Sequence, residues 1–197
     1  MTKQVEFLFD VGSPYSYLAY KQLPKIAKAK GAEIIWTPVL LGGIFQATGN
    51  HSPIEVPAKG RYSLIDLKRW ANEYGVSMAM NPNFPINTLT LMRGSVAMQL
   101  KGKQEFDRYL DVVFEAMFGK PCNMNLPTEV GAVLQEAGFD AGEFIALVSD
   151  PAVKERLKSN TEDAVKRGVF GAPTFFVDGE MFWGQDRLFF VEKALAS

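Results

Sequence analysis

One cysteine and one histidine in 197 residues leave little material for several common chemistries. The lone thiol, Cys122, excludes an intramolecular disulfide and suits a reducing compartment. No metal-ligating residue accompanies it nearby in the sequence, so it reads as inert, and no metal site is expected. His51 falls in a loop, where it reads as a surface residue, although it could assist a proton transfer. A Gly-x-Ser-x-Gly elbow is missing, which leaves a serine hydrolase poorly supported. An excess of either charge is missing too. The 21 Lys and Arg against 22 Asp and Glu give a net charge of −1, which offers no basic footprint for nucleic acid. No apolar run is long enough to span a membrane, no signal peptide is visible, and the terminal Leu-Ala-Ser is not a peroxisomal address. A cytoplasmic protein without membrane or nucleic-acid partners is expected. At 47% apolar and 22% charged residues the composition is that of a soluble globular chain. The length allows one large domain or two small ones.

The chain is organised around residues 7–20. Val5 to Phe9 is a short apolar run that suits a central, buried strand of a parallel sheet. The run breaks at Gly12 and restarts as a helix, with Ser13 as N-cap and Pro14 at the first helical position. The first N–H groups of that helix are unpaired and can hold an anion. A redox fold would place two cysteines here, three residues apart; this sequence has Ser13 and Ser16.

The helix is expected to run to Lys30-Gly31, with Pro24 as a kink, and Ala32 to Leu40 reads as a second strand. Residues 41–57, with glycines, Asn50, His51 and prolines, read as an exposed loop. Helical periodicity then dominates. Tyr62 to Tyr74 form one helix, stopped by Gly75, and a Pro/Asn-rich connection spans 78–85. A helix capped by Asn87 runs to Gly102, and another, from Phe106 to Met117, ends at Gly119. Two short helices lie near Thr128–Leu134 and Glu143–Val148, and a long one begins at Pro151 and ends at Arg167. Strands return at Pro173–Val177 and Glu180–Trp183 around an Asp178-Gly179 hairpin turn, and a helix from Asp186 to Ala196 closes the chain. The order βαβ, helical block, ββα is an α/β thioredoxin-like arrangement with an inserted all-helical domain. The expected domains are 1–45 with 165–197, and 46–164.

Several residues have ordinary structural readings as well as chemical ones. Ser13 is by itself a helix cap, Asp186 caps the last helix by position, and Lys59 and Arg61 are loop charges. Phe84, in the Pro/Asn-rich connection, is ordinary core or an apolar wall for a substrate. Gly171-Ala-Pro-Thr-Phe175 puts a proline directly before a strand, where thioredoxin folds keep a cis bond. That geometry would turn the Ala172 backbone outward, free to pair with an extended peptide.

Five motifs, in order, carry a resemblance. They are Asp10-Val-Gly-Ser-Pro-Tyr-Ser-Tyr17, Leu40-Leu-Gly-Gly-Ile-Phe45 with Gly49-Asn50, Pro57-Ala-Lys-Gly-Arg-Tyr62, Gly168-Val-Phe-Gly-Ala-Pro-Thr-Phe175 and Trp183-Gly-Gln-Asp-Arg187. Across essentially the whole chain the sequence resembles the 2-hydroxychromene-2-carboxylate isomerases and the kappa-class glutathione transferases of the DsbA-like thioredoxin superfamily. The resemblance implies glutathione as cofactor and a homodimer. It also implies a glutathione site: Ser13 at the sulfur, Ala172 before cis-Pro173 pairing with the cysteinyl part, and Trp183, Gly184, Gln185 and Asp186 at the γ-glutamyl end. Asn50 is implied near the cofactor and Lys59 at the entrance. Tyr17 stands where the kappa enzymes tend to carry tryptophan and Gln185 where they tend to carry serine, whereas the 45–57 loop is kappa-like.

Without a cysteine at position 13, a fold suited to thiolate chemistry has to borrow its sulfur. The expected activity is a glutathione-dependent isomerase acting on a small conjugated aromatic keto acid by reversible thiolate addition. The alternatives are a transferase that leaves glutathione on an electrophile, and a non-catalytic DsbA-like binding protein.

Overall fold

A computed structural model describes residues 2–196; the first and last residues of the expected domains, 1 and 197, lie outside it. The chain begins with β1 (Gln4–Phe9), α1 (Pro14–Lys30) and β2 (Glu33–Pro38), then enters a run of helices: α2 (Leu41–Thr48), α3 (Pro57–Tyr74), α4 (Leu89–Lys101), α5 (Lys103–Phe114), α6 (Pro127–Glu136), α7 (Ala141–Ser149) and α8 (Pro151–Lys166). It returns to β3 (Thr174–Val177) and β4 (Glu180–Trp183) and closes with α9 (Leu188–Ala194). The four strands form one sheet in the order β2-β1-β3-β4. Strands from the two ends of the chain are therefore neighbours, and the fold is the expected thioredoxin-like one.

β1 is central but not in an all-parallel sheet: it runs parallel to β2 and antiparallel to β3. Its alternation explains its burial on both sides, because successive strand side chains point to opposite faces. Val5, Phe7 and Phe9 face a large core that takes in α1 and the inserted helices. Phe7 stacks on Phe175 of β3 at 5.1 Å, and Phe9 meets Phe106 and Phe114 of α5 at 6.4 and 6.2 Å. Leu8 faces the other way, onto Val39, Ile44 of α2, Ala164 of α8 and Phe176. The helical insertion thus packs directly on the sheet and shares its core.

α1 is one continuous helix through Pro24, closed by Gly31 with φ +62°. The first correction to the sequence reading is α2, which occupies the first half of the expected 41–57 loop, followed by a 3₁₀ turn at Pro53–Glu55. Gly42-Gly43 reads as loop-like, yet a Cβ on Gly43 would sit 3.3 Å from Thr161 Cγ2, so the glycine allows α2 to approach α8. The expected domain boundaries at 45/46 and 164/165 both fall inside helices, α2 and α8. The second correction concerns Asp186, which lies within a 3₁₀ turn (Gln185–Arg187) and pairs with Arg187 Nη1 at 2.7 Å instead of capping α9. The N-cap of α4 is Thr88 and not the expected Asn87, whose Oδ1 accepts the Leu89 N–H at 3.1 Å from one position earlier. Among the described residues no helix is long and apolar enough to cross a membrane.

Candidate active site

β1 delivers the chain to a turn, Asp10-Val11-Gly12-Ser13, that must reverse into α1 within four residues. The Ser13 N–H donates to the Asp10 carbonyl at 3.0 Å, closing the turn. Ser13 itself has extended backbone (φ −88°, ψ 116°) and its Oγ accepts the Ser16 N–H at 3.1 Å, the geometry of an N-cap. The same hydroxyl donates to the Ala172 carbonyl at 3.0 Å, a bond across 159 residues. Ser13 is 4% exposed and still reaches the cavity wall. Ser16 does not line the cavity; it is fully buried, and its hydroxyl has no partner among the described residues. The two serines are therefore not equivalent.

Beneath the turn lies Asp10, 1% exposed, which the sequence analysis named only as the first residue of a motif and gave no role. Its Oδ1 accepts the Gly12 N–H at 2.8 Å, and its Oδ2 accepts the Leu41 N–H at 2.8 Å and the Thr88 hydroxyl at 3.0 Å. One carboxylate thereby ties together the β1–α1 turn, the start of α2 and the start of α4. Burial pushes its pKa above the ordinary carboxylate value, and the three donors pull against that shift. Gly12 is required by the closeness of this packing: a Cβ there would meet Thr88 Cγ2 at 2.7 Å.

The opposite wall is the segment leading into β3. The Ala172–Pro173 bond is cis, as expected from the sequence. Thr174 Oγ1 donates to the Gly171 carbonyl at 2.7 Å, and the Gly184 N–H donates to the Pro173 carbonyl at 2.9 Å, fixing the segment on either side of Ala172. The strand ladders of β3 begin only at Thr174. The Ala172 N–H has no partner among the described residues, whereas its carbonyl, expected to be free, is held by Ser13. A Cβ on Gly171 would lie 2.6 Å from Trp183 Nε1, so glycine leaves the indole its present position against the segment.

The remaining expected residues close around the same space. Asn50 Nδ2 donates to the Phe170 carbonyl at 2.8 Å while its Oδ1 accepts the His51 N–H at 2.8 Å, so this side chain clips the loop after α2 onto the β3 approach. His51 is largely exposed, with its Nδ1 3.4 Å from Glu55 Oε2, and it also borders the cavity that the other expected residues line. Lys59 forms no ion pair among the described residues. Gln185 is buried and its carbonyl accepts the Tyr74 hydroxyl at 2.9 Å.

Ser13, Asn50, Lys59, Ala172, Pro173, Trp183, Gly184, Gln185 and Asp186 all line one cavity of about 1220 Å³. Phe84, Met80, Phe45 and Leu41 supply apolar wall in the same cavity. Tyr15 and Asp66, which sequence reasoning did not single out, line it as well. Burial raises the Asp66 pKa and the nearby Asp186 carboxylate raises it further, against the lowering effect of Arg69. Burial likewise raises the Tyr15 phenol, with Asp66 and Asp186 adding to the shift. One end of the cavity is therefore acidic, and Lys59 and Arg61 bring positive charge elsewhere on its rim. Only the pairing of Asp66 with Asp186, 120 positions apart in the chain, could have revealed the acidic end, and no local pattern encodes it. Cys122 is not in the cavity, and burial, with Glu129 adding, raises its thiol pKa. Among the described residues no group of three or more His, Cys, Asp or Glu is arranged to hold a metal ion.

Chemically, the wall offers an open backbone N–H, a serine hydroxyl at a helix N-terminus and an apolar face. A family model described as the DSBA-like thioredoxin domain matches residues 4–196. The chain is 34% identical over 194 residues to 2-hydroxychromene-2-carboxylate isomerase of Pseudomonas putida, covering 97% of this chain and 93% of that protein. It is 28% identical over 200 residues to glutathione S-transferase kappa 1 of Homo sapiens, covering 95% and 88%. A solved structure of 2-hydroxychromene-2-carboxylate isomerase superposes with a TM-score of 0.84 at 34% identity, covering 98% of this chain and 94% of that one.

Proposed function

Because the chain belongs to the DsbA-like thioredoxin family, among the 2-hydroxychromene-2-carboxylate isomerases and kappa-class transferases, we propose that this enzyme is a glutathione-dependent isomerase of a conjugated aromatic keto acid. The observation that carries the proposal is one cavity wall on which the Ser13 hydroxyl, the N-terminus of α1 and the unpartnered Ala172 N–H converge. An extended thiol peptide fits that wall: Ala172 has the open donor that an added strand needs, and the helix N-terminus favours an anion. Bound glutathione would supply a thiolate that adds reversibly to the conjugated system, so that the bond that has become single can rotate before the thiolate leaves.

The chain's own residues would then do the following. Ser13 and the first turn of α1 favour the ionised sulfur, as they do for cysteines at helix N-termini. Trp183, Gly184, Gln185 and Asp186 receive the γ-glutamyl end, where Asp186 and Asp66 suit its ammonium group. Asn50 stands near the cofactor, and Lys59 stands at the entrance, available to a carboxylate. Phe84, Met80 and Phe45 give an apolar surface for an aromatic ring and exclude water from it. Cys122 takes no part. The homodimer that the resemblance implies and the reducing, cytoplasmic setting that the single cysteine suits belong to the same proposal, and sedimentation velocity tests the first.

The test is turnover of 2-hydroxychromene-2-carboxylate followed by absorbance, with glutathione below the substrate concentration and free thiol measured at the end. Many turnovers with all thiol recovered support the isomerase. The kappa relatives favour a second reading, a transferase, which would consume one thiol per event on an electrophile. No glutathione-dependent change in the carboxylate overturns the isomerase reading.

A further inference from the structure

A hydroxyl has one proton and donates to one acceptor at a time, although its oxygen accepts up to two bonds. Ser13 gives that proton to the Ala172 carbonyl. The donor needed at the sulfur is therefore engaged with the residue whose backbone would take up the cysteinyl group. Turning the hydroxyl toward a sulfur would leave the half-buried Ala172 carbonyl without its donor, since no other reaches it among the described residues. Leaving a carbonyl unpaired opposes the turn.

Resting on the glutathione reading of the site, we propose that Ser13 and Ala172 form a hydrogen-bond hand-off. A ligand amide N–H docks on the Ala172 carbonyl, releases the Ser13 hydroxyl, and lets it donate to the ligand sulfur, which then ionises more readily. No covalent bond changes, and the thiol proton leaves to solvent. The Ser16 N–H holds the Ser13 oxygen at 3.1 Å, so the oxygen stays in place as helix cap while the hydrogen swings. A thiolate is the stronger acceptor once the carbonyl has another donor, because charge-assisted bonds exceed neutral ones. Backbone docking and thiol activation are thereby coupled, and coupling of this kind is reciprocal. The cavity would then select peptidyl thiols over simple alkyl thiols by the amide as well as by the sulfur.

The experiment titrates the ultraviolet thiolate absorbance of saturating ligand on wild type and Ser13→Ala. One ligand is glutathione; the other is its depsipeptide analogue, with an ester oxygen in place of the cysteinyl N–H. On wild type, glutathione is expected to ionise about one to two pH units below the ester analogue. On Ser13→Ala the two are expected to ionise together. Equal values on wild type overturn the hand-off, and so does a gap that survives in Ser13→Ala. If the ester analogue does not bind, a crystal structure of the glutathione complex decides. Ser13 Oγ bonded to the sulfur and parted from Ala172 O supports the hand-off, and Oγ still bonded to Ala172 O overturns it. Absence of any glutathione binding by calorimetry removes the function and the hand-off together, whereas a bound glutathione indifferent to the amide removes the hand-off alone.

Discussion

Replacing Ser13 with alanine separates its two duties, and the structure sets the size of each. The Oγ atom caps α1 through the Ser16 N–H and satisfies the Ala172 carbonyl. Losing the cap costs about 1 kcal/mol. Losing the second bond, to a carbonyl that is only half-buried, costs about 0.5–1.5 kcal/mol. Alanine keeps the Cβ and leaves no large cavity, so the sum is about 1.5–2.5 kcal/mol. At roughly 2–4 °C per kcal/mol for a domain of this size, the melting temperature should fall by about 3–10 °C. The chemical duty is distinct. A bond from a hydroxyl to a thiolate is worth about 1.5–3 kcal/mol, which raises the thiol pKa of bound glutathione by about one to two units when removed. Turnover at neutral pH should fall accordingly, while binding persists through the Ala172 edge and the cavity walls. The assay pairs calorimetric melting with a thiolate titration of the saturated complex, and Ser13→Cys adds a control expected to form a mixed disulfide with glutathione. A Ser13→Ala protein with the lowered melting temperature but an unchanged thiol pKa and rate would refute the reasoning and leave Ser13 as a helix cap only.

Asp10 gives a pH-dependent expectation. Burial holds its folded-state pKa above the ordinary value of 3.8, so its contribution to stability is full below that value and is lost as pH rises through the folded one. The urea unfolding free energy of wild type minus that of Asp10→Asn should therefore shrink from about pH 4 toward neutrality, and a difference that grows with pH contradicts the assignment. Gly171→Ala pushes a methyl to 2.6 Å from the Trp183 indole nitrogen. Because Trp183 is 48% exposed and can rotate, the cost should sit near the low end of overpacking, about 1 kcal/mol, with a shift in Trp emission and weaker glutathione binding; unchanged emission and affinity would show that the contact is not restrictive. Cys122→Ala should leave glutathione-dependent kcat/KM unchanged, since that thiol is outside the cavity and burial raises its pKa; abolished activity in a folded variant would restore a thiol enzyme.

The sequence by itself determined the parts of this protein that short-range physics controls. The apolar run at Val5–Phe9, the Ser13-Pro14 helix start, the Asp178-Gly179 hairpin turn and the proline before β3 each carry their own local instruction, and together they specify the thioredoxin-like order. The same motifs, through resemblance, named nine residues that line one cavity. Tertiary structure decided what depends on distant partners. α2 forms where glycines suggest a loop, because Asp10, thirty-one positions away, accepts its first N–H and Gly43 lets it press on Thr161. The acidic end of the cavity exists only where α3 brings Asp66 toward Asp186. The destination of the Ser13 proton is of the same kind. A serine before Pro14 reads as a cap in any sequence, but which acceptor takes its hydrogen depends on a carbonyl 159 residues along the chain, brought beside it when β3 joins β1. A hydrogen bond is fixed by distance and direction, and those are properties of the folded chain.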